Sequence, residues 1–249
     1  MPRANDPPRP LLRGYLHVAA AIAAPAAMVF LILRAGSPAG YVGAAIFGTS
    51  LLLLFAASAN YHIVPWPPRV RGWMKRIDHS MIFAGIAGTY TPFCLQAMGL
   101  AWGITLLAIV WALAAAGMLL MTLWASVPRI VAVGAYLALG WVAVVALPRL
   151  SDTLPAAALA YMVAGGLLYT LGALVYFLRW PNPVPRLIGH HELFHALVVA
   201  GFAPFSLVVA RDVIPASAAR GAPGCPGAMA ALSWKLAHHR RSAGRRFGV

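Results

Sequence analysis

From His79 to Pro128 the chain carries no Asp, Glu, Lys or Arg. A helix needs about 20 apolar residues to cross the hydrocarbon of a bilayer. A charge-free stretch this long must therefore fold back once, and the polar, glycine-containing residues 96–99 mark the turn. The same pattern recurs along the chain. Apolar spans are predicted over residues 14–34, 41–64, 77–97, 101–124, 129–147, 155–178 and 186–210. The breaks between them hold the Gly36-Ser37-Pro38 turn, the Pro65/Pro67/Pro68 cluster, Pro148-Arg149 and Arg179-Trp180-Pro181. Prolines interrupt continuous helix bonding, and Arg beside Trp is a signature of the membrane interface. The expected fold is an all-α polytopic integral membrane protein, a seven-transmembrane-helix bundle.

Composition agrees. The chain is 61% hydrophobic and 10% charged, with a formal net charge of +14. In a soluble protein that charge would suggest nucleic acid. Here Lys and Arg lie between the spans and in the tails, where they set topology and meet anionic headgroups. No nucleic-acid-binding pattern accompanies them, so none is expected as a partner. Cys94 sits in an apolar span and Cys225 in the tail, which argues against a disulfide framework. Three regions follow: a basic, Pro-rich segment over 1–13, the membrane domain over 14–212, and a basic, flexible tail over 213–249. The first span is long enough to be a retained helix rather than a cleaved signal. Basic residues in the short loops place the N-terminus on the cytoplasmic side of the cell membrane, although the basic tail then falls outside.

Alternation of span direction carries the functional argument. The second span ends on the face where the third and seventh begin. Ser58 and His62 close the second, Asp78 and His79 open the third, and His191, Glu192 and His195 open the seventh. Ionisable groups are costly at membrane depth, so such a cluster is a functional site by default. His191 and His195 are four apart, on one helix face about 6 Å apart along the axis. Two imidazoles from one helix and His62 from another make a three-histidine set that suits zinc and leaves a fourth position open, though iron or manganese also accepts such ligands. Asp78 is placed to move protons, and Ser58 to hydrogen bond a ligand histidine or a developing negative charge.

Each residue alone has an ordinary explanation. His62 suits the interface, Asp78 can cap its helix or pair with Arg76, Ser58 can bond its own helix, and Glu192 suits a helix start. The joint pattern favours the metal site. His79 and His190 fall around it, His17 is a further candidate on the same face, and His238 and His239 are expected to be solvated. His191-Glu192-Leu193-Phe194-His195 also matches the HExxH helix of zinc proteases. That rival, an intramembrane metalloprotease with Glu192 as base, ranks low. No acidic third ligand appears in a later span, and Asp212 lies beyond the last.

Three stretches taken together, Ser58-Ala-Asn-Tyr-His62, Asp78-His79-Ser-Met-Ile-Phe-Ala-Gly-Ile-Ala-Gly-Thr-Tyr-Thr-Pro92 and His190-His191-Glu192-Leu-Phe-His195, resemble the hemolysin III family. This is the bacterial branch of the progestin and adipoQ receptor membrane proteins. The resemblance covers about residues 11–212. It implies seven membrane helices, zinc on His62, His191 and His195, and functional positions at Ser58 and Asp78. It further implies hydrolysis of lipid amides or esters, with a role in membrane homeostasis. The alternative is a non-catalytic protein in which zinc is structural and the bundle acts as a receptor, membrane regulator or pore-forming hemolysin.

Overall fold

The computed structural model describes residues 10, 12–124, 126–184 and 186–215. Most of the N-terminal segment and the tail beyond 215, with Cys225, His238 and His239, lie outside the described residues. Eight α-helices follow in order: α1 Tyr15–Arg34, α2 Pro38–Ile63, α3 Pro68–Gln96, α4 Leu100–Leu123, α5 Arg129–Trp141, α6 Ala143–Ser151, α7 Ala156–Leu178 and α8 His190–Val208. A π-helical turn, Val209–Val213, extends α8, and no named strand occurs among the described residues. Residues 213–215, expected to open the flexible tail, are helical.

Six stretches are long and apolar enough to cross a membrane, with α5 and α6 counted as one span and α8 joined to its π turn. The expected seventh crossing is α3. It falls short on apolarity because Arg69, Arg71, Lys75, Arg76 and Asp78 occupy its first half, and His79, Ser80, Thr89, Tyr90, Thr91, Pro92 and Gln96 lower the hydropathy of the charge-free remainder. Yet 29 residues of helix are about 43 Å long, more than the hydrocarbon needs. α3 packs against α2, α4 and α5, burying Phe83, Ala87, Phe93 and Cys94. A helix so enclosed meets little lipid and tolerates lower hydropathy. The outer faces behave oppositely: Ile22 is 74% exposed, Leu123 79% and Leu100 84%. Apolar surface on that scale belongs in a bilayer, and the chain is a multi-pass membrane protein.

The helix starts have local causes. Ser37 caps α2 by accepting the Gly40 N–H at 3.0 Å, with Pro38 at the first helical position. The basic stretch 69–76, expected as a loop, is instead the first turns of α3. Pro68 also occupies a first helical position, where its missing N–H costs nothing. Arg76 then donates to the Thr122 carbonyl at the end of α4 (3.2 Å), and Arg71 lies over the Tyr61 ring. The turn at 96–99 is as expected, made by Gly99 at φ +74°.

The fifth span bends at Val142. Tyr90 of α3 donates its hydroxyl to the carbonyls of Leu139 (3.0 Å) and Gly140 (2.7 Å). A side chain inserted into the carbonyl ladder breaks the helix there. The span also continues past its expected end at 147 to Ser151, because Leu150 is buried in the core and Arg149 lies over Trp102. α8 begins at His190 rather than near Arg186. The Glu192 carboxylate accepts the Gly189 N–H (2.8 Å) and Asn182 accepts that of His190 (2.9 Å), which fixes the first turn.

Neighbours in sequence pack side by side, α1 with α2, α2 with α3, α3 with α4 and α7 with α8, while α8 also meets α1. That last contact closes the bundle and brings the start of α8 beside the end of α2.

Candidate metal centre

Closure of the bundle converts the alternation of spans into contact. His62 in the last turn of α2 meets His191 and His195 in the first two turns of α8. One ligand nitrogen from each lies within 4.8 Å of the others. The Nε2 atoms of His191 and His62 are 3.1 Å apart, and the three ring centroids are separated by 4.5 to 4.9 Å. In a tetrahedral zinc site with nitrogen ligands at 2.0–2.1 Å, those nitrogens lie about 3.3 Å apart. The observed pair already has that spacing, and the donor set is one that zinc favours. Nδ1 of His62 and Nδ1 of His195 are buried without a hydrogen-bond partner among the described residues. The outer nitrogens thus lack the carboxylate or carbonyl that usually orients a ligand histidine, and packing holds the rings instead.

The proposed catalytic residues join the cluster. Asp78, buried on α3, places Oδ2 3.7 Å from His62 Nε2. Ser58 lies one turn before His62 on α2, fully buried, with its hydroxyl directed to the Asp78 carboxyl. Glu192 is buried too but has other partners: Oε1 accepts from Arg13 Nε at 3.1 Å and Oε2 from the Gly189 N–H. The start of the chain thereby straps the start of α8. It also presses on α2, since a Cβ at Gly14 (φ +85°) would stand 2.9 Å from His62 Cβ.

Of the remaining histidines, His79 lines the cavity below the cluster, and its backbone carbonyl accepts the Tyr136 hydroxyl at 3.1 Å. His190 turns aside to Asn182, 3.0 Å from Nδ1. His17, on the first turn of α1, is buried and stacks flat on His195, centroids 3.9 Å apart and planes 8° from parallel. Sequence reasoning missed Arg13, which it treated only as a topogenic charge. It also missed Tyr136 and Tyr176. Tyr176 ends α7, an even-numbered span that closes on the same face, so alternation alone would have placed it there. Its ring centroid is 6.0 Å from that of His191.

A cavity of about 240 Å³ opens from the cluster into the bundle. Ser58, Asp78, His191 and His195 stand at one end, and Phe93, Leu150 and Met162 at the other. Asp78 and Phe93, which both line it, are fifteen residues apart on α3, about 22 Å along that helix. Its walls are apolar apart from a few groups, among them Tyr169, Thr89 and Tyr90.

Comparison with known proteins places the chain in a family. The family model described as "Haemolysin-III related" matches residues 6–205. The chain is 34% identical over 180 residues to the Hemolysin-3 homolog of Bacillus subtilis (strain 168), covering 71% of this chain and 81% of that protein. It is 33% identical over 204 residues to Hemolysin-3 of Bacillus cereus, covering 80% and 89%. The chain belongs to the haemolysin-III family.

Proposed function

We propose that the protein is a zinc-dependent hydrolase of membrane lipid amides or esters. The observation that carries this is the convergence of three imidazole nitrogens beside Asp78 at the polar end of a long apolar cavity. Such a cavity suits an acyl chain, with the bond to be cleaved at the histidines. His62, His191 and His195 would hold the ion, which when bound supplies Lewis acidity and makes water nucleophilic near neutral pH.

The chain's own groups do the rest. The Asp78 carboxylate takes a proton from water as its oxygen attacks the carbonyl carbon. It returns that proton to the leaving nitrogen or oxygen as the bond to carbon breaks. The Ser58 hydroxyl orients Asp78 or donates to the oxygen that gains negative charge. Glu192 is a poor base for the protease alternative, since both its oxygens are engaged by Arg13 and Gly189. A lytic pore, suggested by the names of the two Bacillus relatives, has less support because the walls below the cluster are largely apolar. The cations in the first turns of α3 and at the neighbouring span ends, Arg13, Arg129 and Arg179, favour a cytoplasmic N-terminus, with anionic headgroups as neighbours.

Hydrolysis of a long-chain acyl amide by the zinc-loaded protein in lipid nanodiscs is the test. Asp78→Asn is expected to abolish turnover while keeping the metal, and equal turnover by wild type and Asp78→Asn refutes the mechanism.

A further inference from the structure

Several hydroxyls on the cavity wall are spent on backbone. Thr89 donates to the Gly85 carbonyl (2.8 Å), Thr170 to that of Gly166 (2.9 Å) and Tyr136 to that of His79 (3.1 Å). The His79 side chain differs. Its ring makes no hydrogen bond among the described residues, and neither nitrogen is sealed by packing. The helix face shows where the ring points: His79, Ile82, Ile86 and Phe93 recur at helical spacing and all line the cavity. Asp78 is about 100° around α3 from His79 and turns to Ser58 and His62. The His79 ring meets Tyr176 of α7 edge-on, centroids 6.5 Å apart, and the same tyrosine stands 6.0 Å from His191. His79 thus flanks the histidine cluster from the α7 side, at the level of Asp78. Packing does not call for an imidazole here. Phenylalanine would meet Tyr176 equally well without two nitrogens to desolvate.

We infer that His79 is a substrate-contact residue that hydrogen bonds a hydroxyl on the part of the substrate released by hydrolysis. The inference rests on the proposed function. On that reading the carbonyl sits at the three ligand histidines and Asp78, and the acyl chain follows Ile82, Ile86 and Phe93 along the wall. The group left at the level of His79 is the one on the other side of the cleaved bond. A neutral imidazole offers one donor and one acceptor, which a hydroxyl matches in full and a methyl group not at all. An ammonium group is disfavoured there. Lys75 lies one turn before His79 and acts on it through its charge, and the Arg129 guanidinium sits over the Tyr176 ring at 5.2 Å.

The experiment is equilibrium binding of radiolabelled N-undecyl-N′-(hydroxyethyl)urea and N-undecyl-N′-propylurea to the full-length, zinc-loaded protein in nanodiscs. Both ureas resist hydrolysis, and they differ only in ending in a hydroxyl or a methyl beyond the carbonyl. Metal per chain is measured on every sample. Wild type is expected to prefer the hydroxyethyl urea. His79→Phe should lose roughly tenfold in affinity for it, the scale of one hydrogen bond, with propyl urea binding and metal content unchanged. His79→Gln, which keeps a donor and an acceptor, should retain most of the preference. If His79→Phe does not fold, His79→Leu carries the same expectation. A preference that survives in His79→Phe, or is absent from wild type while both ureas bind, overturns the inference and leaves the proposed function standing. Equal loss in His79→Gln and His79→Phe overturns it in favour of packing, and loss of metal from His79→Phe overturns it because the residue would then act through the ligand histidines. A wild type that binds neither urea sinks both.

Discussion

Replacing Arg13 with alanine strips a partner from a carboxylate that has almost no access to solvent. Arg13 Nε meets Glu192 Oε1 at 3.1 Å, and the two side chains retain 25% and 3% exposure. Removing one member of a buried ion pair costs about 3–5 kcal/mol, whereas an exposed pair is worth about 0–1 kcal/mol. With Arg13 a quarter exposed and Glu192 enclosed, the loss falls between these limits. About 2 kcal/mol is expected, roughly thirtyfold in the unfolding equilibrium. The assay is reversible denaturant unfolding in mixed micelles, followed by tryptophan fluorescence. Most of the loss is the penalty of an unpaired charge, so a second change is diagnostic. Arg13→Ala/Glu192→Gln keeps a carbonyl to accept the Gly189 N–H and removes the charge, and it is expected to recover at least about 1 kcal/mol. Stability of Arg13→Ala within about 0.5 kcal/mol of wild type, with an additive double variant, would refute the N-terminal strap.

Two further perturbations test the placement of the site. Gly14→Ala and Gly99→Ala both put a side chain at positive φ, +85° and +74°, for about 1–3 kcal/mol of strain. Only the first brings a Cβ to 2.9 Å from His62, so Gly14→Ala alone should weaken metal retention, measured by dialysis against a chelator. Tyr90→Phe frees the carbonyls of Leu139 and Gly140 to take back the amides of the next turn. Hydrogen exchange at Ala143 and Val144 should then slow, and unchanged exchange would mean that Tyr90 does not cause the bend.

The spans and the site were legible in the sequence for different reasons. Apolar runs and their proline and arginine breaks report bilayer thickness directly, and alternation placed Ser58, His62, Asp78, His191 and His195 on one face without coordinates. Contact between α2 and α8 was not readable that way, because it depends on α8 closing against α1. Pro68 misled as a stop because proline marks helix starts as well as ends, so the first turns of α3 read as a loop. The bend at Val142 was invisible because its cause, the Tyr90 hydroxyl, comes from another helix. Arg13 and Glu192 are 179 residues apart, and nothing local marks either as the other's partner. His17 was visible as a candidate, but its stacking on His195 required the packed site.

The most direct test is metal content with X-ray absorption at the metal edge, on purified wild type beside His62→Ala, His191→Ala and His195→Ala. One zinc per chain is expected, with nitrogen scatterers from three imidazoles at about 2.0–2.1 Å, and loss of the ion from each variant. A wild type that takes up no metal after zinc loading, or three variants that retain it with an unaltered ligand shell, would contradict the three-histidine centre.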